Sequence, residues 1–305
     1  MKYLVIGAGG TGGALGAYLA RGGKDVTLIA RGAHLTAIQA LGLRVVLPER
    51  EFTVSPAAAT DMEHYEQTPD VVFVCVKGYS LEGLIPFLKR IAGGHTVVIP
   101  LLNLYGTGGK LHYRLPGVPV MDGCIYIASE IQAPGCILMR GEILRVVFGP
   151  RSPEEYLPVL KRVEAELNEC GIRGILSENI QRDALKKFAY VSPQGACGAY
   201  YDVTAGAMQR PGPYRECFKA LVAEIVLLAQ AMGIHFEGDL VQQHLSILDE
   251  LEPEMTTSMQ RDLKSGGPSE LDGLVYEVVR MGEKYGAELP EYRKIAAGLA
   301  RRGLR

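Results

Sequence analysis

The chain has 305 residues, 32 Lys+Arg against 34 Asp+Glu, 48% hydrophobic residues and 37 glycines. At about 150 residues per domain this length predicts roughly two domains, each able to bury a core. The apolar content excludes a disordered chain, and a net charge of -2 leaves no broad basic surface for nucleic acid. Glycine, at about 12% against a usual share of about 7%, clusters at a few points, the first being residues 7 to 16.

The first half alternates short Val/Ile-rich runs with helical patterns, which predicts a parallel sheet covered by helices. Strands are expected at Tyr3 to Ile6, Val26 to Ile29, Val71 to Val76 and Thr96 to Ile99, with helices at Ala14 to Arg21 and Leu81 to Ile91. Residues 43 to 55 read as a small hairpin or extra strand. Between Val118 and Phe148, the runs Ile125-Tyr126-Ile127 and Leu144 to Phe148 read as antiparallel strands joined by a turn at Pro134-Gly135. From Pro153 the apolar period becomes 3.6, through Leu157, Leu160, Val163 and Leu167 to Gly171, and one more strand is expected at Ile172 to Leu176. Beyond it everything reads as helix: 179 to 191, where Pro193 would kink or end the run, then 213 to 232, 237 to 249, 270 to 285 and 291 to 301. Ser269 with Asp272 forms a candidate capping box for the fourth of these. The expectation is therefore an α/β protein: a Rossmann-type dinucleotide-binding domain over 1–178 and an all-α domain over 179–305. Leu221, Val222, Ile225, Val226 and Leu228 make an apolar stripe that either a core or a homodimer would bury.

Six scattered cysteines without a C-x-x-C pair read as reduced thiols, and six histidines without i, i+4 pairing predict no metal site. Only four apolar residues precede the first glycine, too few for a signal peptide, and no run approaches the roughly 18 apolar residues of a membrane span. A cytoplasmic protein is expected.

Gly7-Ala8-Gly9-Gly10-Thr11-Gly12 fits G-x-G-x-x-G between a strand and a helix. That context needs glycine for a tight turn at Gly7, for close backbone approach to a pyrophosphate at Gly9 and for helix-to-strand packing at Gly12. The helix N-terminus then offers unpaired N–H groups to the phosphates. The second strand ends in Ala30-Arg31, where an NAD site usually places Asp or Glu; an arginine there suits the 2′-phosphate of NADP, although it could also be an ordinary solvated residue. Lys77 and Asn103 stand at the carboxyl ends of later strands, where ligands of such sheets lie, and strands also commonly end in polar residues. Lys186-Lys187 on a helix is ambiguous in the same way, as are the segments Thr256 to Asp262 and Pro268 to Asp272. The residues taken alone stop at an NADP-linked oxidoreductase of unknown substrate.

Taken together and in order, these segments resemble the ketopantoate reductase (2-dehydropantoate 2-reductase) family along nearly the whole chain. The resemblance rests on Ile6 to Gly12, Leu28 to Gly32, Val74-Cys75-Val76-Lys77, Leu102-Asn103, Lys187-Phe188, Thr257 to Asp262 and Ser269-Glu270. It implies NADPH held by Gly7, Ala8, Gly9, Gly10, Thr11, Gly12 and Arg31, with Lys77 and Asn103 facing nicotinamide and substrate. It further implies Lys187 as general acid, oriented by Glu270, and Ser258 as a donor to the substrate. The implied reaction is NADPH-dependent reduction of a 2-oxo acid, ketopantoate to pantoate in pantothenate biosynthesis. The alternatives are a less polar 2-oxo acid or a non-catalytic NADP-binding paralogue. Members close to the type enzyme carry asparagines four and eight positions after the lysine, where this chain has Val191 and Gly195. Their Asn-Gly-x-Gly pattern is here Asn103-Leu104-Tyr105-Gly106.

Overall fold

A computed structural model describes residues 1–56 and 58–304; Ala57 and Arg305 lie outside it. The chain divides into two compact units, Met1–Ile180 and Gln181–Arg305.

The first unit runs β1 (Lys2–Ile6), α1 (Gly10–Arg21), β2 (Asp25–Ile29), α2 (Gly32–Leu41), β3 (Leu43–Val46), β4 (Glu51–Val54), β5 (Ala58–Thr60), β6 (Val71–Val74), α3 (Leu81–Ile91), β7 (Val97–Pro100) and α4 (Thr107–Arg114). It continues with β8 (Asp122–Tyr126), β9 (Ser129–Ala133), β10 (Cys136–Met139), β11 (Arg145–Gly149), α5 (Val159–Glu169) and β12 (Arg173–Leu176). Five strands form a parallel sheet in the order β5-β2-β1-β6-β7. Alternation along β1 explains why nearly every residue of it is apolar: Tyr3 and Val5 enter one core cluster and Leu4 and Ile6 another. A strand buried on both faces has no room for polar side chains. The cluster around Val5 holds Ala14, Leu15 and Leu19 of α1, and that around Leu4 holds Leu84, Ile85 and Leu88 of α3. Helices on both faces of a parallel sheet make this unit Rossmann-like. Beyond the sheet, Met121 donates to the Val98 carbonyl, and β8 continues into a three-stranded sheet β12-β11-β8.

The predicted pair β8 and β11 is antiparallel, Tyr126 opposite Arg145, but Pro134-Gly135 does not connect it. That turn joins β9 to β10, and β10 pairs in parallel with β3 to build a separate sheet β4-β3-β10-β9. The helices α2 and α4 and the strand β5 appear where none was predicted.

The second unit is helical: α6 (Ile180–Tyr201, its first residue closing the first unit), α7 (Ala205–Gln209), α8 (Pro213–Ala231), α9 (Leu240–Asp249), α10 (Ser258–Lys264), α11 (Glu277–Tyr285) and α12 (Pro290–Arg301). A π-helical turn over Asp272–Tyr276 leads into α11. Within α8, Leu221, Val222, Ile225 and Leu228 are fully buried and Val226 partly, so core packing accounts for four of the five residues of that stripe. Contrary to expectation, α6 continues through Pro193 to Tyr201. Proline has no N–H to give the carbonyl four residues back, that of Ala189; His244 Nδ1 lies 3.2 Å from that oxygen and donates in its place. The expected capping box is also elsewhere: Thr257 and Gln260 form one at the start of α10. Asp272 instead pairs with Arg280, and Ser269 accepts only from the Leu271 N–H. Among the described residues no helix is long and apolar enough to cross a membrane.

Candidate active site

All five strands of the main sheet point the same way, so the ends of β1, β2, β6 and β7 share one edge. At that edge Gly7 turns the chain with φ +93°, a conformation that costs other residues free energy. The Gly7 and Ala8 N–H groups both donate to the Ile29 carbonyl, at 3.2 and 3.0 Å, which fastens the loop to the end of β2. Gly9 is the N-cap of α1; no side chain caps it, and the first turn carries no acid. The partial positive charge of the helix terminus is therefore not neutralised by the loop itself. A Cβ on Gly9 would meet nothing within 4 Å, whereas one on Gly12 would strike the Gly7 carbonyl oxygen and lie 2.8 Å from Cys75 Cβ. Gly12 is thus a packing requirement and Gly9 an open approach to the loop backbone. Burial pushes the Cys75 thiol up to about 12, which leaves it protonated and unreactive beneath the loop.

His34, to which the sequence assigned no role, braces this loop. Its Nδ1 accepts the Gly135 N–H at 3.0 Å, so Nε2 bears the hydrogen and donates to the Ala8 carbonyl at 2.8 Å. No short motif marks such a residue, because one partner lies in the glycine loop and the other in the distant β9–β10 turn. Gly10 allows another close approach: a Cβ there would stand 2.7 Å from the Ser129 carbonyl oxygen at the start of β9.

Arg31 is exposed and forms the N-cap of α2 just past β2. Lys77 precedes a single 3-10 turn, Gly78–Ser80, beyond β6. Asn103 lies in the loop from β7 to α4, and the first turn of α4 is held by the buried Asp122 through the Gly108 and Gly109 N–H groups. Burial raises the Asp122 carboxyl above its ordinary range, with Arg151 opposing. Gly7 to Gly12, Arg31, Lys77 and Asn103 thus lie along one sheet edge.

In the helical unit, Lys187 sits on α6 and is only 9% exposed, an uncommon state for a lysine. Glu270, also buried, lies two residues before the π-helical turn that leads into α11, and Ser258 opens α10. Both segments pack on α6. Ser192 donates to the Leu274 carbonyl at 2.6 Å, Leu274 N–H bonds the Glu270 carbonyl, and a Cβ on Gly195 would lie 3.1 Å from Met259 Cε. Among the described residues no group of three His, Cys, Asp or Glu side chains could hold a metal.

Comparison with known proteins matches residues 3–153 to the profile described as ketopantoate reductase PanE/ApbA, and residues 179–302 to that of its C-terminal region. The chain belongs to the ketopantoate reductase family. It is accordingly an oxidoreductase of the type that reduces 2-oxo acids. A 2-dehydropantoate 2-reductase of Mesorhizobium japonicum is 28% identical over 92% of this chain and 91% of its own. The crystal structure of 2-dehydropantoate 2-reductase from Porphyromonas gingivalis W83 is 30% identical, covers 98% of this chain and 99% of its own, and superposes with a TM-score of 0.84. The ternary structure of D-mandelate dehydrogenase with NADH and anilino(oxo)acetate shares the fold, with a TM-score of 0.86 over 99% of this chain and 98% of its own at 20% identity. At Gly195 the nearest neighbour of an added Cβ is the methyl end of the buried Met259, at 3.1 Å, a contact that a shift of a few tenths of an ångström would relieve.

Proposed function

We propose that this enzyme reduces 2-dehydropantoate to pantoate with NADPH, serving pantothenate biosynthesis. The observation that carries the catalytic part is the burial of Lys187 on α6, beside segments bearing Glu270 and Ser258. The cofactor part is supported by the uncapped, acid-free N-terminus of α1 and the open space over Gly9, which fit a pyrophosphate. Arg31, two residues beyond Ile29 at the end of β2, suits a 2′-phosphate, and no acid stands there to hold a free 2′-hydroxyl. Gly7, Ala8, Gly9, Gly10, Thr11 and Gly12 would hold the cofactor with Arg31, Lys77 and Asn103, the last two also facing the substrate. NADPH supplies the hydride for the 2-oxo carbon. Charge then gathers on the carbonyl oxygen, which the Lys187 ammonium stabilises and protonates from Nζ. Glu270 orients that ammonium, and Ser258 donates to a substrate oxygen.

Val191, an apolar side chain one turn beyond Lys187, favours a second reading with a less polar 2-oxo acid. NADPH oxidation with a panel of 2-oxo acids tests both. Lys187→Ala should lower kcat by about 10²–10⁴-fold while leaving the NADPH dissociation constant unchanged, and Arg31→Ala should erode the preference for NADPH over NADH. Retained turnover in Lys187→Ala refutes the catalytic assignment. Tight NADPH binding with no keto acid reduced points to a non-catalytic paralogue.

A further inference from the structure

The face of α6 that carries Lys187 also carries Gln194, a polar side chain that neither the family pattern nor the proposed chemistry uses. Seven residues after Lys187 a helix has turned through nearly two whole revolutions, so Gln194 lies within about 20° of the lysine and about 10 Å further along the axis. Val191 stands between them on the same face. Gln194 is only 8% exposed, yet its side chain makes no hydrogen bond among the described residues. Buried amides are normally paired, and an unpaired one is a standing cost to the fold. Among the described residues, the side-chain polar atoms that are both sealed from water and unpaired are Ser129 Oγ, Arg145 Nε and the Tyr190 hydroxyl. The Gln194 amide is not among them, so it retains a narrow contact with solvent.

Its surroundings define the direction from which a partner can come. On the C-terminal side, Gly195 is covered by Met259, and Gly198 by the side chain of Gln260, which donates to the Val203 carbonyl. Side chains of a helix lean toward its N-terminus, so the Gln194 amide reaches back over Val191 toward Lys187. Going along the face from the lysine, a bound molecule would meet an ammonium, then an apolar side chain, then an amide.

We infer that Gln194 determines specificity by hydrogen-bonding a hydroxyl at the far end of the 2-oxo acid, while Val191 packs the intervening carbon. The inference rests on the reductase function proposed above and assigns to one glutamine the polar contact that asparagines at 191 and 195 would otherwise provide. It favours a 4-hydroxy-2-oxo acid over its purely apolar counterpart.

The test compares kcat/KM for 2-dehydropantoate with that for 3,3-dimethyl-2-oxobutanoate, which lacks only the hydroxyl, in the wild type and in Gln194→Leu. The wild type should prefer the hydroxylated acid. Gln194→Leu should lose about 10–100-fold on it, change little on the deoxy acid, and bind NADPH as before. Gln194→Met, unbranched and of similar length, gives the same comparison should the leucine variant not fold. Equal losses on both acids, or none on either, overturn the role of Gln194 and leave the reductase reading intact. A wild type that turns over neither acid removes the reading and the inference together.

Discussion

Adding a single methyl group to the glycine loop has opposite consequences at its two ends. In Gly12→Ala the new Cβ lands on the Gly7 carbonyl oxygen, 2.8 Å from Cys75 Cβ and 3.0 Å from Val5 Cγ1. Ordinary contacts begin near 3.4 Å, so α1 must withdraw from the Gly7 carbonyl by about 1 Å or the loop must yield. The loop resists, because the Gly7 and Ala8 N–H groups are bonded to Ile29. Overpacking of this kind costs about 1–3 kcal/mol, and backbone obstruction puts Gly12→Ala at the upper end. At about 2–4 °C per kcal/mol for a unit of this size, the first unit should melt roughly 5–10 °C lower. Gly9→Ala is the control, since φ -73° and ψ -162° suit any residue and its Cβ meets nothing within 4 Å. Stability should change by less than about 0.5 kcal/mol, while the methyl group obstructs phosphate approach and weakens NADPH binding by at least about 10-fold. Calorimetry and fluorescence titration of NADPH separate the two effects. The packing argument fails if Gly12→Ala melts like the wild type, and the phosphate assignment fails if Gly9→Ala binds NADPH unchanged.

Two further substitutions probe the helical unit. Ser192 is completely buried, donates to the Leu274 carbonyl and accepts from the Tyr292 hydroxyl, both at 2.6 Å. Ser192→Ala strands both partners, and at about 1–3 kcal/mol for each unmade bond chemical denaturation should report a loss of about 2–4 kcal/mol; a loss below about 1 kcal/mol would contradict this. His244 is pushed down to about 4 by burial, with its bond to the Ala189 carbonyl opposing. The unfolded chain takes up that proton near pH 6.5 and the folded chain only near 4, so stability is fully present above about pH 6.5 and falls as the pH drops toward 4, by roughly 3 kcal/mol in all. His244→Asn should flatten this acid limb of the stability profile, and an unchanged limb would assign it to other groups.

The strand-loop-helix of residues 2–21 was legible because its features are local: a buried strand that alternates between two cores, a glycine pattern and a helix start. The long helices α8, α9, α11 and α12 were legible from their period, whereas the short α7 and α10 carry too few turns to show one. By contrast α2 buries only Ile38 and offers no apolar stripe to read. Pro134-Gly135 was correctly a turn but was assigned to the wrong strands, because β10 is placed by its parallel pairing with β3, a partner far away in sequence. Pro193 obeyed a sound local rule that a distant histidine overrode. The candidate lysine, glutamate and serine came from resemblance in motif order. His34 and Gln194, which belong to no motif, became visible only through what surrounds them.

The imidazole that joins Ala8 to Gly135 has a consequence for how the loop meets a ligand. A glycine-rich segment left to itself samples many conformations, and ordering it upon binding would subtract from affinity. With His34 holding one carbonyl of the loop and the turn holding His34, that ordering is completed when the protein folds. Cofactor affinity therefore acquires a second address in the sequence, at a turn 101 residues beyond His34 that need never touch the cofactor. Altering the β9–β10 turn at Gly135 should therefore change nucleotide affinity in this chain while every glycine of the loop is kept.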